Sequence, residues 1–332
     1  MQPAAVPPAA APRSASLKDR FLDIRTLISF GILAFVLFFV FTHVQLDYRA
    51  SLKAISQTNP FLYLLAIIAF YFSFVVRSFR WELLLNNSGE EKTGFRTLFH
   101  IIILAWFANC VLPAKMGDFY RAYLLREETP VSGSKGLGTI VSERILDFLV
   151  LMSLLLVSGL VSFRLAIPHR FEAAFIAGLA ISLALVVGLV GLRFSEGHIS
   201  RFLPARLRRR ANQFKEGLIN ALQGNIAVLL GLSVLVWGAE STRLYLVVQA
   251  LPLHVDLSVA QVVFIALVAS LLTTIPALPG GLVLVEGGII TVLVFFGLTA
   301  SEGFSVAILD RLISYWSLIV VGLVVFLMSK IR

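Results

Sequence analysis

Two hydrophobic segments of this chain are interrupted in mid-run, and the interruptions repeat. Apolar sequence over 97–112 stops at Leu112-Pro113, and Lys115, Asp118, Arg121 and Arg126 follow before apolar sequence resumes around Glu143, Arg144 and Asp147. Later, apolar 258–275 gives way to Pro276-Ala277-Leu278-Pro279-Gly280-Gly281, then to Val285-Glu286-Gly287-Gly288, with Asp310-Arg311 beyond apolar 289–298. Leu112-Pro113 and Leu278-Pro279 lie 166 positions apart, as do Arg77 and Arg243. Glu143-Arg144 and Asp310-Arg311 lie 167 apart in a chain of 332 residues. Proline removes a backbone donor and glycine weakens a helix, so neither segment continues as one helix across its break. Paired landmarks at half the chain length read as an internal repeat, the pattern of many transporters.

Composition puts these breaks in a membrane. Hydrophobic residues make up 58% of the chain, charged residues 14%, and mean hydropathy is +0.90; soluble domains run near half apolar and a quarter charged. Several runs are long enough to cross about 30 Å of hydrocarbon. The fold class is therefore an all-α polytopic membrane protein. The net charge of +9 comes from Lys and Arg flanking the spans, the usual cytoplasmic mark, and does not indicate nucleic acid. One cysteine, Cys110, excludes an intrachain disulfide. No Cys/His cluster has metal-ligand spacing, and no nucleotide loop, Asp-x-Asp or Ser/His/Asp arrangement occurs, so no cofactor and no catalytic residue is expected.

Residues 1–24, rich in Ala and Pro, read as a disordered cytoplasmic tail, and 25–332 as a single transmembrane domain. Clear spans are expected at 27–44, 61–76, 145–163, 173–192, 226–250 and about 305–329. The tail and the basic stretch 193–215 both belong on the cytoplasmic side. Four spans already connect them, so 97–126 makes no net crossing: it is a re-entrant hairpin or crosses twice. Non-helical backbone at that depth must be buried in protein or line a wet cavity. The second break follows the same logic, and the odd span 173–192 inverts it. About six full spans plus two broken hairpins then form inverted repeats, with halves near 61–163 and 226–329, the breaks meeting at the bilayer midplane. Within 200–222, Leu207, Ala211, Phe214, Leu218 and Leu222 make a helical apolar stripe opposite Arg and Lys, an interfacial amphipathic helix. A helix restarting after Gly281 would aim its positive end into the membrane, a ready anion site. Both termini are expected in the cytoplasm.

The charged residues inside spans carry the function. Each costs roughly 2.5–3.5 kcal/mol at mid-membrane, so none sits in lipid unpaired. Arg77 and Arg80, beside Trp81, either snorkel to the interface or line the vestibule of a lipid-phosphate site. Glu240 and Arg243, three apart on one face, either pair with each other or face a cavity. Neighbours such as Glu143-Arg144 and Asp310-Arg311 do not face one another on a helix and must find partners elsewhere.

Arg77-x-x-Arg80-Trp81, Asn109 before Leu112-Pro113, Gly117-Asp118 with Arg121, Ser142-Glu143-Arg144 with Asp147, Leu278-Pro279-Gly280-Gly281 with Glu286, and Asp310-Arg311 occur here in order over about 25–330. In these the chain resembles the flippase-type transmembrane domain of the lysylphosphatidylglycerol synthase family. Asp118 departs from the Glu expected there; the charge is kept and the reach shortened. The resemblance implies movement of a polar or anionic lipid between leaflets of the inner cell membrane. The headgroup stays open among phospholipid, hopanoid and polyprenyl-linked lipids, and homo-oligomer formation is compatible with it. That family's synthase activity lies in a separate soluble domain, for which a chain ending at Arg332 leaves no room. In this reading Arg121, Arg144 and Arg311 hold phosphate, Lys115 stands at the entrance, and Asp118, Glu143, Asp147, Glu286 and Asp310 balance them. Two alternatives are a membrane enzyme modifying a lipid or polyprenyl carrier, and a non-transporting partner of a lipid-modifying complex.

Overall fold

A computed structural model describes residues 47–89, 93–112, 115–194, 204–275 and 279–330. The expected tail, the span 27–44, and Pro113, Pro276 and Leu278 of the breaks lie outside these residues. Every regular element described is helical.

The centre is an antiparallel pair. Helix α1 (Tyr48–Ser56) leads into α2 (Pro60–Asn87), which Asn59 caps by accepting from the amides of Phe61 and Leu62, with Pro60 at the first helical position. At about 1.5 Å per residue, α2 is about 42 Å long, enough to cross the bilayer. Its outward face carries Phe61, Leu64, Ile68 and Phe72, while Ser73, Arg77, Arg80 and Trp81 point inward. This inside-out pattern is what a lipid-facing helix with a polar interior requires. Further along the chain, α8 (Ile226–Ala250) lies against α2 and turns Ser233, Trp237, Glu240 and Arg243 toward it. The Asn59 amide donates to Ala250 O at one end of the pair (2.8 Å), and Asn87 Nδ2 to Ala221 O at the other (3.0 Å).

The first broken element is α3 (Phe95–Val111) and α4 (Gly117–Glu128). Twelve residues give α4 about 18 Å, little more than half the hydrocarbon thickness. The two arms touch closely: the Gly117 amide donates to Asn109 Oδ1 (2.8 Å), and a Cβ at Gly117 would run into Ala105 O. The chain turns through Lys115, at φ 52°. The second element is α9 (Val259–Leu272), a single turn at Pro279–Gly281, and α10 (Leu284–Phe295). Here Gly280 (φ 59°), Gly281 (φ 69°) and Val283 (φ 69°) take left-handed backbone.

A long helical run follows each hairpin, α5 (Gly133–Ser162) after the first and the run opened by α11 (Ala300–Arg311) after the second. A six-residue π segment, Leu312–Ser317, joins α11 to α12 (Leu318–Lys330). Between the halves run α6 (His169–Phe194), buried only at Phe175 and Gly178, and α7 (Ala205–Asn220). Hydrogen bonds sort the loops onto two faces. One holds Asn59 with Ala250, Asp47 with Ser301 and His254 with Glu302. The other holds Asn87 with Ala221 and Ser142 with Leu218. The first hairpin starts from the second of these faces and the second hairpin from the first, so the two enter oppositely, as inverted repeats.

The helix boundaries differ most from the sequence reading at α2 and α5. The span expected at 61–76 continues to Asn87, which puts Arg77, Arg80 and Trp81 inside the helix rather than at its end. The span expected at 145–163 begins at Gly133, because Gly136, Gly138, Thr139 and Ser142 are buried small residues that admit neighbouring helices. The C-terminal half of α7 is one of them: Phe214 O and the Gly217–Leu218 backbone lie against Gly138, and Ser142 Oγ donates to Leu218 O (2.6 Å). The stripe expected to face the membrane therefore buries Leu218 in protein and exposes Leu207. Phenylalanine also has a use here: Phe163, Phe171, Phe175, Phe264, Phe295 and Phe296 form one edge-and-stack cluster that fastens α6 to the second hairpin.

Candidate functional site

The tips of both hairpins open on one cavity of about 310 Å³. Leu112 and Lys115 reach it from the first break, and Thr273, Thr274, Gly280 and Gly281 from the second. The remaining walls come from the arms of the hairpins and from α2, α5, α8, α11 and the π segment.

Charged side chains form a continuous chain along this wall. Arg144 bonds Asp118 (Nη2 to Oδ1, 3.2 Å) and approaches Asp147 (3.6 Å). Arg77 stands between Asp147 (3.8 Å) and Glu240 (3.4 Å). Arg243 then takes Glu240 (2.8 Å) and Asp310 (2.9 Å). Arg77 is the bridge between the halves and lies over Trp106 (4.8 Å) and Trp237 (5.6 Å). Glu240 and Arg243 do both things the sequence left open: they pair, and they line the cavity.

The halves use matching bonds. Arg80 pairs with Asp147 (2.6 Å) and Arg243 with Asp310 (2.9 Å), each across 67 positions, although Asp147 lies 163 residues before Asp310, about one helical turn off the 166–167-residue spacing of the sequence landmarks. Each hairpin's second arm carries a carboxylate in its first turn, Asp118 on α4 and Glu286 on α10. Each is met by an arginine of the following long helix, Asp118 by Arg144 (3.2 Å) and Glu286 by Arg311 (2.9 Å). Arg311 also donates to Gly280 O (2.7 Å), pinning the second break directly. This corrects the reading of the α10 N-terminus as an open anion site, because the helix's own Glu286 answers that positive end. Glu143-Arg144 and Asp310-Arg311 do face different partners, but within their own halves.

Arg80, Arg121 and Glu143 are the second correction. None lines the cavity. Arg80 and Arg121 clamp Glu143 at 3.0 and 2.7 Å, and all three are at most 1% exposed. The Arg121 guanidinium lies 3.7 Å over the Trp81 ring, and Arg80 adds Ser233 (2.7 Å). Trp81 donates to Thr139 (3.2 Å), fixing the ring. Such a packed ion cluster has no route to a headgroup, so Arg80 lines no vestibule and Arg121 is not placed to hold phosphate. Glu286 stands behind Arg311 rather than in the cavity wall.

The other expected residues, Arg77, Asn109, Lys115, Asp118, Arg144, Asp147, Glu240, Arg243, Asp310 and Arg311, all reach the cavity. Five cations and four carboxylates line it; with Glu286 behind Arg311 and the connected Arg80, Arg121 and Glu143, seven cations face six carboxylates, one positive charge in excess. Among the described residues Lys115 has no carboxylate within ion-pair distance, and Arg77 Nε and Nη1 and Asp147 Oδ2 have no hydrogen-bond partner. Sequence reasoning missed Trp106, Trp237 and Tyr315. The only prior signal for the tryptophans was an aromatic placed inside a span instead of at its rim.

Residues 26–322 match the family model described as the lysylphosphatidylglycerol synthase TM region. A UPF0104 membrane protein of Methanocaldococcus jannaschii is 35% identical over 66% of this chain and 93% of its own length. A UPF0104 membrane protein of Methanothermobacter thermautotrophicus is 26% identical over 81% of this chain and 86% of its own. The glycosyltransferase AglD of Haloferax volcanii is 24% identical over 79% of this chain but 48% of its own length.

Proposed function

The chain belongs to the lysylphosphatidylglycerol synthase TM-region family, and from that premise we propose that it moves a polar or anionic lipid between leaflets, as a flippase or scramblase and not as an enzyme. One observation carries the reading: two half-membrane hairpins of opposite entry bring their tips to a single arginine-bearing cavity. Ligand pockets run about 300–1,000 Å³, so this one suits a headgroup and not a whole diacyl lipid. The headgroup passes between the hairpin tips while the acyl chains stay in the bilayer. The single excess positive charge favours a headgroup bearing phosphate. Arg144 and Arg311 are placed to exchange Asp118 and Glu286 for phosphate oxygens as the hairpins rock, with charge-assisted bonds on either side of the exchange.

The test is reconstitution in liposomes carrying a labelled lipid, with separate arms for anionic phospholipid, zwitterionic phospholipid, hopanoid and polyprenyl phosphate. Transbilayer exchange above the protein-free rate in an arm assigns the headgroup class; the protein-free rate in all arms sinks the proposal.

We place α7 in the cytoplasm, and with it both termini, because exposed Arg209 and Arg210 of that helix share a face with the base of the first hairpin. In a Cys110→Ala background, Arg126→Cys and Arg209→Cys are expected to react with an impermeant thiol reagent from the inside only. His254→Cys should react from the outside only. The reverse pattern overturns the orientation.

A further inference from the structure

Tyr315 touches both breaks at once. Its hydroxyl donates to Cys110 O (3.0 Å), one of the last carbonyls of α3, which has no partner within that helix. Its ring fills the space in front of Gly280, where any Cβ would strike it. The Arg311 guanidinium, which holds Gly280 O and Glu286, sits 4.9 Å from the same ring. The side chain is 5% exposed yet forms part of the cavity wall. Its backbone lies in the π segment, a wide turn that interrupts the regular bonding of the long helix and often marks a functional site.

A headgroup that passes between the two tips has to part Tyr315 from one of them. We propose that Tyr315 is the gate residue between the hairpin tips, its bond to the Cys110 carbonyl being the latch that closes the passage. The ring stays with the second hairpin, since Gly280 and Arg311 both hold it, and the hydroxyl is the member that lets go of the first. This rests on the lipid-moving reading only for what the gate admits; the latch itself is tested without any lipid readout.

Cys110 is the chain's one cysteine, buried beside the latch, so the otherwise unaltered full chain carries its own reporter. In proteoliposomes, a membrane-permeant maleimide should label Cys110 faster in Tyr315→Phe than in the unaltered protein, by about 2–10-fold, the worth of one neutral hydrogen bond. The ring is kept, so packing on Gly280 and the melting temperature should hold. Tyr71→Phe, which removes a hydroxyl bonded to Ser317 (2.9 Å) in the same π segment, should leave the labelling rate unchanged. Equal labelling of Tyr315→Phe and the unaltered protein overturns the latch, as does an equal rise in Tyr71→Phe. Lipid exchange measured on the same vesicles should rise with the labelling. Faster labelling without exchange of any lipid supports the latch and counts against lipid movement instead.

Discussion

Arg80→Ala is expected to cost the folded protein about 3–5 kcal/mol, the penalty for stripping one partner from a buried ion cluster. Arg80 is wholly buried and bonds three groups on two other helices: Asp147 and Glu143 on α5 and Ser233 on α8. Without it Glu143 keeps Arg121 at 2.7 Å, but Asp147 is left with Arg144 at 3.6 Å and Arg77 at 3.8 Å. A carboxylate so poorly answered in the bilayer must take a proton or draw in water. Arg80→Lys should recover little, because one ammonium cannot replace a planar fork that spans both helices. The measurement is the melting of the detergent-solubilised protein, followed by size-exclusion of the heated sample. A melting temperature unchanged from the unaltered protein would mean that this cluster is wet and dispensable.

The same residues show what the sequence made legible. The breaks could be read because proline and glycine act on their own backbone, whatever surrounds them. Arg77, Glu240, Arg243 and Asp310 could be flagged because a charge in a span announces a polar interior. Their choice of partner could not be read. Arg77 and Arg80 lie three residues apart on one helix face, yet one lines the cavity and the other is wholly buried among Asp147, Glu143 and Ser233. That difference is set by how α5 packs, and the start of α5 is hard to see in sequence because Gly133–Ser142 looks like a polar loop. Its glycines carry the signal: Gly138 meets Gly217 of α7, a small-residue contact common between membrane helices. Tyr315 left no signal at all. It lies in Ser314-Tyr315-Trp316-Ser317, a short mixed stretch inside a long span, and nothing in that pattern says that the π segment carries it to the breaks.

Arg311→Ala and Arg144→Ala are expected to act on transport far more than on folding, the inverse of Arg80→Ala. Arg144 and Asp118 are 32% and 22% exposed, and Glu286 beside Arg311 is 20% exposed. Cavity water can therefore take over what Arg144 leaves behind, and so exposed a pair contributes little to stability. Arg311 is itself only 6% exposed, so its loss costs the fold more than that of Arg144. A phosphate crossing between the tips has no such substitute. Losing one charge-assisted bond, worth about 1.5–3 kcal/mol, should slow exchange by about 10–100-fold. Arg311→Ala should be the more severe, since Arg311 also holds Gly280 O and so shapes the second tip. Arg311→Lys separates the two contributions: the charge remains for phosphate, while the fork that joins Glu286 to Gly280 is lost. Exchange partly restored by Lys points to charge, and exchange as low as in Ala points to the shape of the break. If both alanine variants aggregate in detergent as Arg80→Ala does, the hairpin clamps are structural bonds. If both exchange lipid at the unaltered rate, the phosphate does not travel by these arginines.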